Sequence, residues 1–368
     1  MISRRSFKPW LITLFTLAAL LSVGSLQAAN YVFPGNLPAG CSGSGGTYSC
    51  GSLTLAWGDT ITIASPLPAS ITVNGDLLTN NNQINAGGLA ANLTLEVTGT
   101  LSGGFFTTIN ANVTAGSVSD TNDSVTYGGS LTTTMGAISL RSGSSVAGSI
   151  TTTSGNISLG GSTSVAGNIG SNSGNVTLAG YNVIGGGITS NGGAVSAGGG
   201  VRINGNVTAG SISDSFAGSV TYGGSLTATT GIIDLKWGST VAGSIGSSGA
   251  ITLAGSNTVG GNISSTGGAI TTGFNVLVNG GGVTTGGAIT LGQSNVIAGS
   301  ATSTSGNINF GSGVQLNGNV STDGTITIGQ SDVVTGSLAS NLGAVYVGYA
   351  AQINGNIATG GAITLVQS

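Results

Sequence analysis

The chain has 368 residues, of which 70 are glycine and only 4% are charged, with a formal net charge of −3 and a mean hydropathy of +0.38. It contains no histidine, which removes histidine-based nucleophilic triads, most zinc sites and the commonest general base. Six basic residues in the whole chain cannot neutralise a row of phosphates, so nucleic acid is excluded as a partner.

In chain order, the first element is an address. Arg4, Arg5 and Lys8 precede an apolar run from Trp10 to Val23, and Leu26-Gln27-Ala28-Ala29 supplies small residues for cleavage. This pattern predicts an apolar signal helix within residues 1–29, removed on export. Membrane contact is expected only through that segment before cleavage. Its removal leaves three basic residues, Arg141, Arg202 and Lys236, against all nine acids.

Residues 30–92 form the next unit. They hold both cysteines, Cys41 and Cys50, and four of the five prolines. In an exported chain two close cysteines predict a disulfide. Apolar alternation in Leu53/Leu55, Ile61/Ile63 and Ile71/Val73 predicts short strands. This segment is expected to cap the first coil of the repeat region, because an open end exposes unpaired strand edges.

From residue 93 to 368 a glycine-led unit of about 19 residues repeats. GAISLRSGSSVAGSITTTS (136–154) is followed by GNISLGGSTSVAGNIGSNS (155–173). Counting each unit from its leading glycine as position 0, apolar residues recur at positions 2 and 4 (Ile138 and Leu140) and again at 10 and 14 (Val146 and Ile150). Apolar residues two apart mark strands with one face inward. Leading glycines at Gly136, Gly155, Gly174, Gly193, Gly249, Gly268, Gly287 and Gly306 mark corners that need positive φ or close backbone approach. A period in this range means one unit stacked many times. The predicted fold is all-β: a single-stranded parallel β-solenoid of triangular section, three short strands and three corners per coil. No proline follows Pro68, as an unbroken ladder requires.

Two irregularities stand out. Gly210 is locally out of register, and the register recovers one coil later. NVTAGSVSDTNDSVTYGGSLTTT (112–134) recurs as NVTAGSISDSFAGSVTYGGSLTATT (206–230), a five-coil duplication. The last unit stops part-way through a coil, so its final apolar strand is expected to be uncovered.

Chemistry is sparse. The best acid pair, Asp120 and Asp123, reads as a solvated loop, and its copy keeps only Asp214. Calcium-binding solenoids carry an aspartate in every turn, which this repeat lacks. Asparagines such as Asn112, Asn156, Asn175, Asn206, Asn262 and Asn319 read as corner ladders of stacked side-chain amides. No catalytic residue, metal ligand or cofactor is expected.

YVFPGNLPAGCSGSGGTYSC (31–50), with GDTITI (58–63) and ITVNGDL (71–77), resembles the N-terminal region of MshQ-like proteins. These are exported bacterial proteins associated with biogenesis of the MSHA type IV pilus. The GAITL and VAGNI repeats are more loosely similar to bactofilin-type polymer-forming β-helices. The resemblance implies a right-handed coil and a location in the periplasm, on the outer surface or outside a Gram-negative bacterium. Together these readings predict a non-enzymatic surface rod or adhesin whose candidate partners are surface polysaccharide, pilus components or itself. The alternatives are a scaffold that stacks end to end through its last coil, and a polysaccharide-acting β-helix enzyme.

Overall fold

A computed structural model describes residues 27–214 and 218–366. The predicted signal helix lies almost wholly outside these residues. The described chain is all β apart from one short 3-10 turn, Ala90–Asn92.

It winds as a parallel β-solenoid of three faces. In one coil the first face is Ile138–Leu140, the second Ser145–Val146 and the third Ile150–Thr152. Each strand pairs in parallel with its equivalent one coil on: Ile138 with Ile157, Val146 with Val165, Ile150 with Ile169. The second face alone is a ladder of 17 strands. At ~4.8 Å per step, that is a rod roughly 80 Å long.

The ladder starts inside residues 30–92. Asn30–Phe33 pairs with Thr60–Ile63, which pairs with Gln83–Ile84. The disulfide joins Cys41 to Cys50 across a short antiparallel hairpin, and the second strand of that hairpin pairs in parallel with Ala69–Val73. Phe33 and Tyr48 meet edge to face beneath it. This segment therefore supplies coils of its own as well as the disulfide.

Inside, the core is a stack of aligned apolar columns. Ile157, Leu159, Val165 and Ile169 are each at most 3% exposed, and their equivalents continue in both directions. Since every coil adds the same residues, burial grows with length rather than with width.

The duplicated block has a distinct shape. In four coils the third and first faces merge into one long strand: Leu93–Ser102, Asn112–Ser119, Ile188–Ala197 and Val207–Asp214. The irregularity at Gly210 is a shortened corner. Asn191, Gly192 and Gly193 sit opposite Gly210 alone, between the pairs Ser190–Ala209 and Ala194–Ser211. Length is restored at the next corner, where Asp214 and Tyr222 are eight residues apart against six for Leu159 and Val165.

Candidate functional site

The corners carry most of the polar order, and the leading glycines sit at the centre of it. Gly155 occupies the corner between Thr152 and Ile157 and is not in the left-handed region. Its N–H donates to Thr152 Oγ1 at 3.1 Å, and that hydroxyl donates to the carbonyl of Gly136 one coil back at 3.4 Å. The same relay joins Gly174, Ser171 and Gly155. A Cβ at Gly155 would lie 2.0 Å from the Gly136 oxygen. At Gly136, Gly174, Gly193, Gly249, Gly268, Gly287 and Gly306 the nearest backbone atom is likewise under 3.0 Å away. These glycines serve close approach. Positive φ belongs to another column, seven residues after the leading glycine: Gly143, Ser162, Tyr181, Gly200, Ser256 and Asn275. Because that column mixes residue types, composition alone does not reveal it.

Asparagines work differently from stacked side-chain amides. Asn156 Oδ1 accepts the N–H of Asn175 at 2.9 Å, and Asn175 Oδ1 accepts that of Ala194 at 2.8 Å. Asn112, Asn206 and Asn319 accept from Ser130, Ser225 and Ser337 in the same way. The ladder is side chain to backbone, since the corner leaves a main-chain donor unpaired that an amide oxygen can reach. A buried set at the first-to-second corner does the same: Asn182 for Thr163, Asn295 for Val276, Asp332 for Val314.

The acids depart most from expectation. Asp123 is exposed, but Asp120 is 3% exposed and Asp214 2%. The solvated-loop reading of Asp120 is therefore corrected. In register, Asp120 stands where the next coil has Leu140, and Asp214 where the next has Leu235. Tyr127 and Tyr222 replace the Val or Ile of the second face. Each phenol reaches across the core and donates to its acid at 2.5 Å. Ser239 Oγ donates to the other oxygen of Asp214 at 2.7 Å, as Ser144 does more distantly to Asp120. A shorter residue on one face is matched by a longer one on the other. Burial pushes the Asp120 carboxyl from 3.8 to about 7, and that of Asp214 upward as well. The tyrosine phenols are held well above their usual range by the same burial beside an acid. Asp332 is pushed up to about 6, again chiefly by burial.

A perturbed acid beside a hydrogen-bonding hydroxyl is often a catalytic signature. Here both acids and both phenols are buried within the stacked coils. They cross-link the core. Once the register is known, the duplicated string carries an aspartate in a leucine slot and a tyrosine in a valine slot.

Among the described residues no three His, Cys, Asp or Glu side chains converge to hold a metal, and no helix is long and apolar enough to cross a membrane. The exterior of the described residues is mostly Ser, Thr, Asn and Gly with several exposed aromatic side chains, and among them one ion pair forms, Lys236 to Asp234 at 2.5 Å. No protein family, curated protein or solved structure matches the chain.

Proposed function

We propose that this protein is a non-enzymatic, exported β-solenoid that acts at the bacterial surface as a rigid rod or adhesin, in association with type IV pilus biogenesis. The observation that carries the reading is where reactive groups sit. Asp120 and Asp214, whose protonation equilibria burial shifts upward, are core cross-links, while the outer faces of the three sheets are sparsely charged and repetitive. Such a surface suits extended contact rather than chemistry at a point. The basic and apolar leader and the Cys41–Cys50 disulfide support export to an oxidising compartment. The cysteine-bearing segment, through its likeness to MshQ-like proteins, supports the link to pili.

The test is a deletion strain complemented with the wild-type gene. Loss of surface attachment or piliation on deletion, restored by complementation, is the expected outcome. Unchanged attachment, piliation and aggregation would overturn the reading.

A further inference from the structure

Nearly all exposed aromatic side chains of the described chain lie along one edge. Trp57, Phe105, Tyr181, Trp237, Phe274 and Tyr349 each sit between the first-face and second-face strands of their coil. Phe106 follows Phe105, and only Tyr346 stands elsewhere, on the first face nearby. Along the 17-strand ladder these coils are two to four steps apart, which is ~10–20 Å at ~4.8 Å per step.

The fold does not require rings here. Other coils place Gly161, Gly199, Gln293, Ser312 or Gln330 at the same corner with the same ladder pairing on either side. Trp57 is 57% exposed and Tyr181 73%, so neither fills the core. Phe106 (φ 49°) and Tyr181 (φ 63°) also occupy the left-handed column, an unfavourable place for a bulky side chain that tends to mark function. The coil beyond makes room for the ring. A Cβ at Gly200 would lie 2.6 Å from the Tyr181 ring, and one at Gly255 2.8 Å from the Trp237 ring. Trp237 and Phe274 meet over Gly255 with ring centroids 4.6 Å apart. The Tyr181 and Trp237 rings thus rest on the glycine of a neighbouring coil and keep surface free for solvent.

We infer that this edge is a binding strip for an extended, neutral polysaccharide lying along the rod. Aromatic faces carry negative charge density and receive the C–H faces of pyranose rings. Hydroxyl and amide groups beside them can both donate and accept bonds with sugar hydroxyls. Beside Trp57 a hollow of about 310 Å³ supplies such groups from Asn80, Ser102, Thr121 and Asn122. An anionic polymer or a single-stranded nucleic acid would need a row of cations. On this edge Lys236 is tied to Asp234, and Arg141 stands without another cation near it in sequence. A large contiguous apolar patch would point to a protein partner, whereas these rings stand in single file between polar and glycine corners.

The strip deepens the adhesin reading and depends on it only for its biological use. The test is retention of the full exported chain on cellulose and chitin, and its retardation in gels containing glucomannan or dextran. Retention by at least one neutral polymer is expected, with at least a tenfold loss in the double variant Trp237→Ala, Phe274→Ala. Trp237→Phe should keep most of the binding, and Thr271→Ala with Thr290→Ala on the adjoining first face should keep all of it. Unchanged melting temperatures would exclude unfolding as the cause of any loss. Absence of retention on every neutral polymer, equal retention by the double variant, or retention only by an anionic polymer or a protein would overturn the proposal. Normal attachment of cells carrying the double variant, with attachment lost on deletion, would remove the strip and leave the surface role. Polymer binding in vitro with no deletion phenotype would do the reverse.

Discussion

Single atoms decide whether these coils can stack. Gly155 and Gly161 are six residues apart in one coil, yet they differ completely in what a methyl group would meet. At Gly155 it would lie 2.0 Å from a carbonyl oxygen, at Gly161 no nearer than 3.5 Å to anything. Gly155→Ala is expected to lower stability by about 2–3 kcal/mol, as overpacking does, and Gly161→Ala by less than about 0.5 kcal/mol. Denaturant midpoints of the two variants check this. The buried acids predict an unusual pH response. In the folded chain the Asp120 carboxyl binds its proton up to about pH 7, against 3.8 for an ordinary aspartate. Its contribution to stability is therefore complete below about pH 3.8 and drains away as pH rises to about 7. Asp214 and Asp332 act in the same sense. Melting temperature should fall between pH 4 and pH 8. The double variant Asp120→Asn, Asp214→Asn should flatten that slope to the part that Asp332 provides, and an unchanged slope would refute the assignment.

Strands and corners were legible in the sequence to different degrees. Strands were readable because the inward residues of most coils are Ile, Val or Leu at fixed spacing, as in Ile157, Leu159, Val165 and Ile169. Asp120 was misplaced because a shortened corner at Gly116 and a lengthened loop after it blur the count at that coil. The left-handed column escaped notice because Ser162 and Tyr181 do not advertise positive φ as glycine does. The aromatic edge escaped for a related reason: its rings are coils apart in sequence and align only once the chain is wound. The disulfide-bearing hairpin offers a test at this scale. Replacing Cys41 and Cys50 with serine should cost about 2–3 kcal/mol by loop-closure entropy. In a stack coupled only between neighbours the loss should stay local. Hydrogen exchange should speed up at Thr47–Cys50 and Ala69–Val73 but not in the coils beyond Asn112.

The molecule as a whole is a product of repetition. Each coil buries its apolar columns only against the coils on either side, so the chain gains length without a second core. The polar exterior and the sealed acids then leave the long outer surface as the part available for work. That account depends on one continuous rod rather than a set of folded pieces. Small-angle X-ray scattering of the purified exported chain measures this directly. A rod of constant cross-section with a maximum dimension of roughly 80 Å is predicted from 17 strands stacked at ~4.8 Å. A compact particle of roughly 50 Å, the span expected for a globular domain of this length, or the profile of a flexible chain would contradict it.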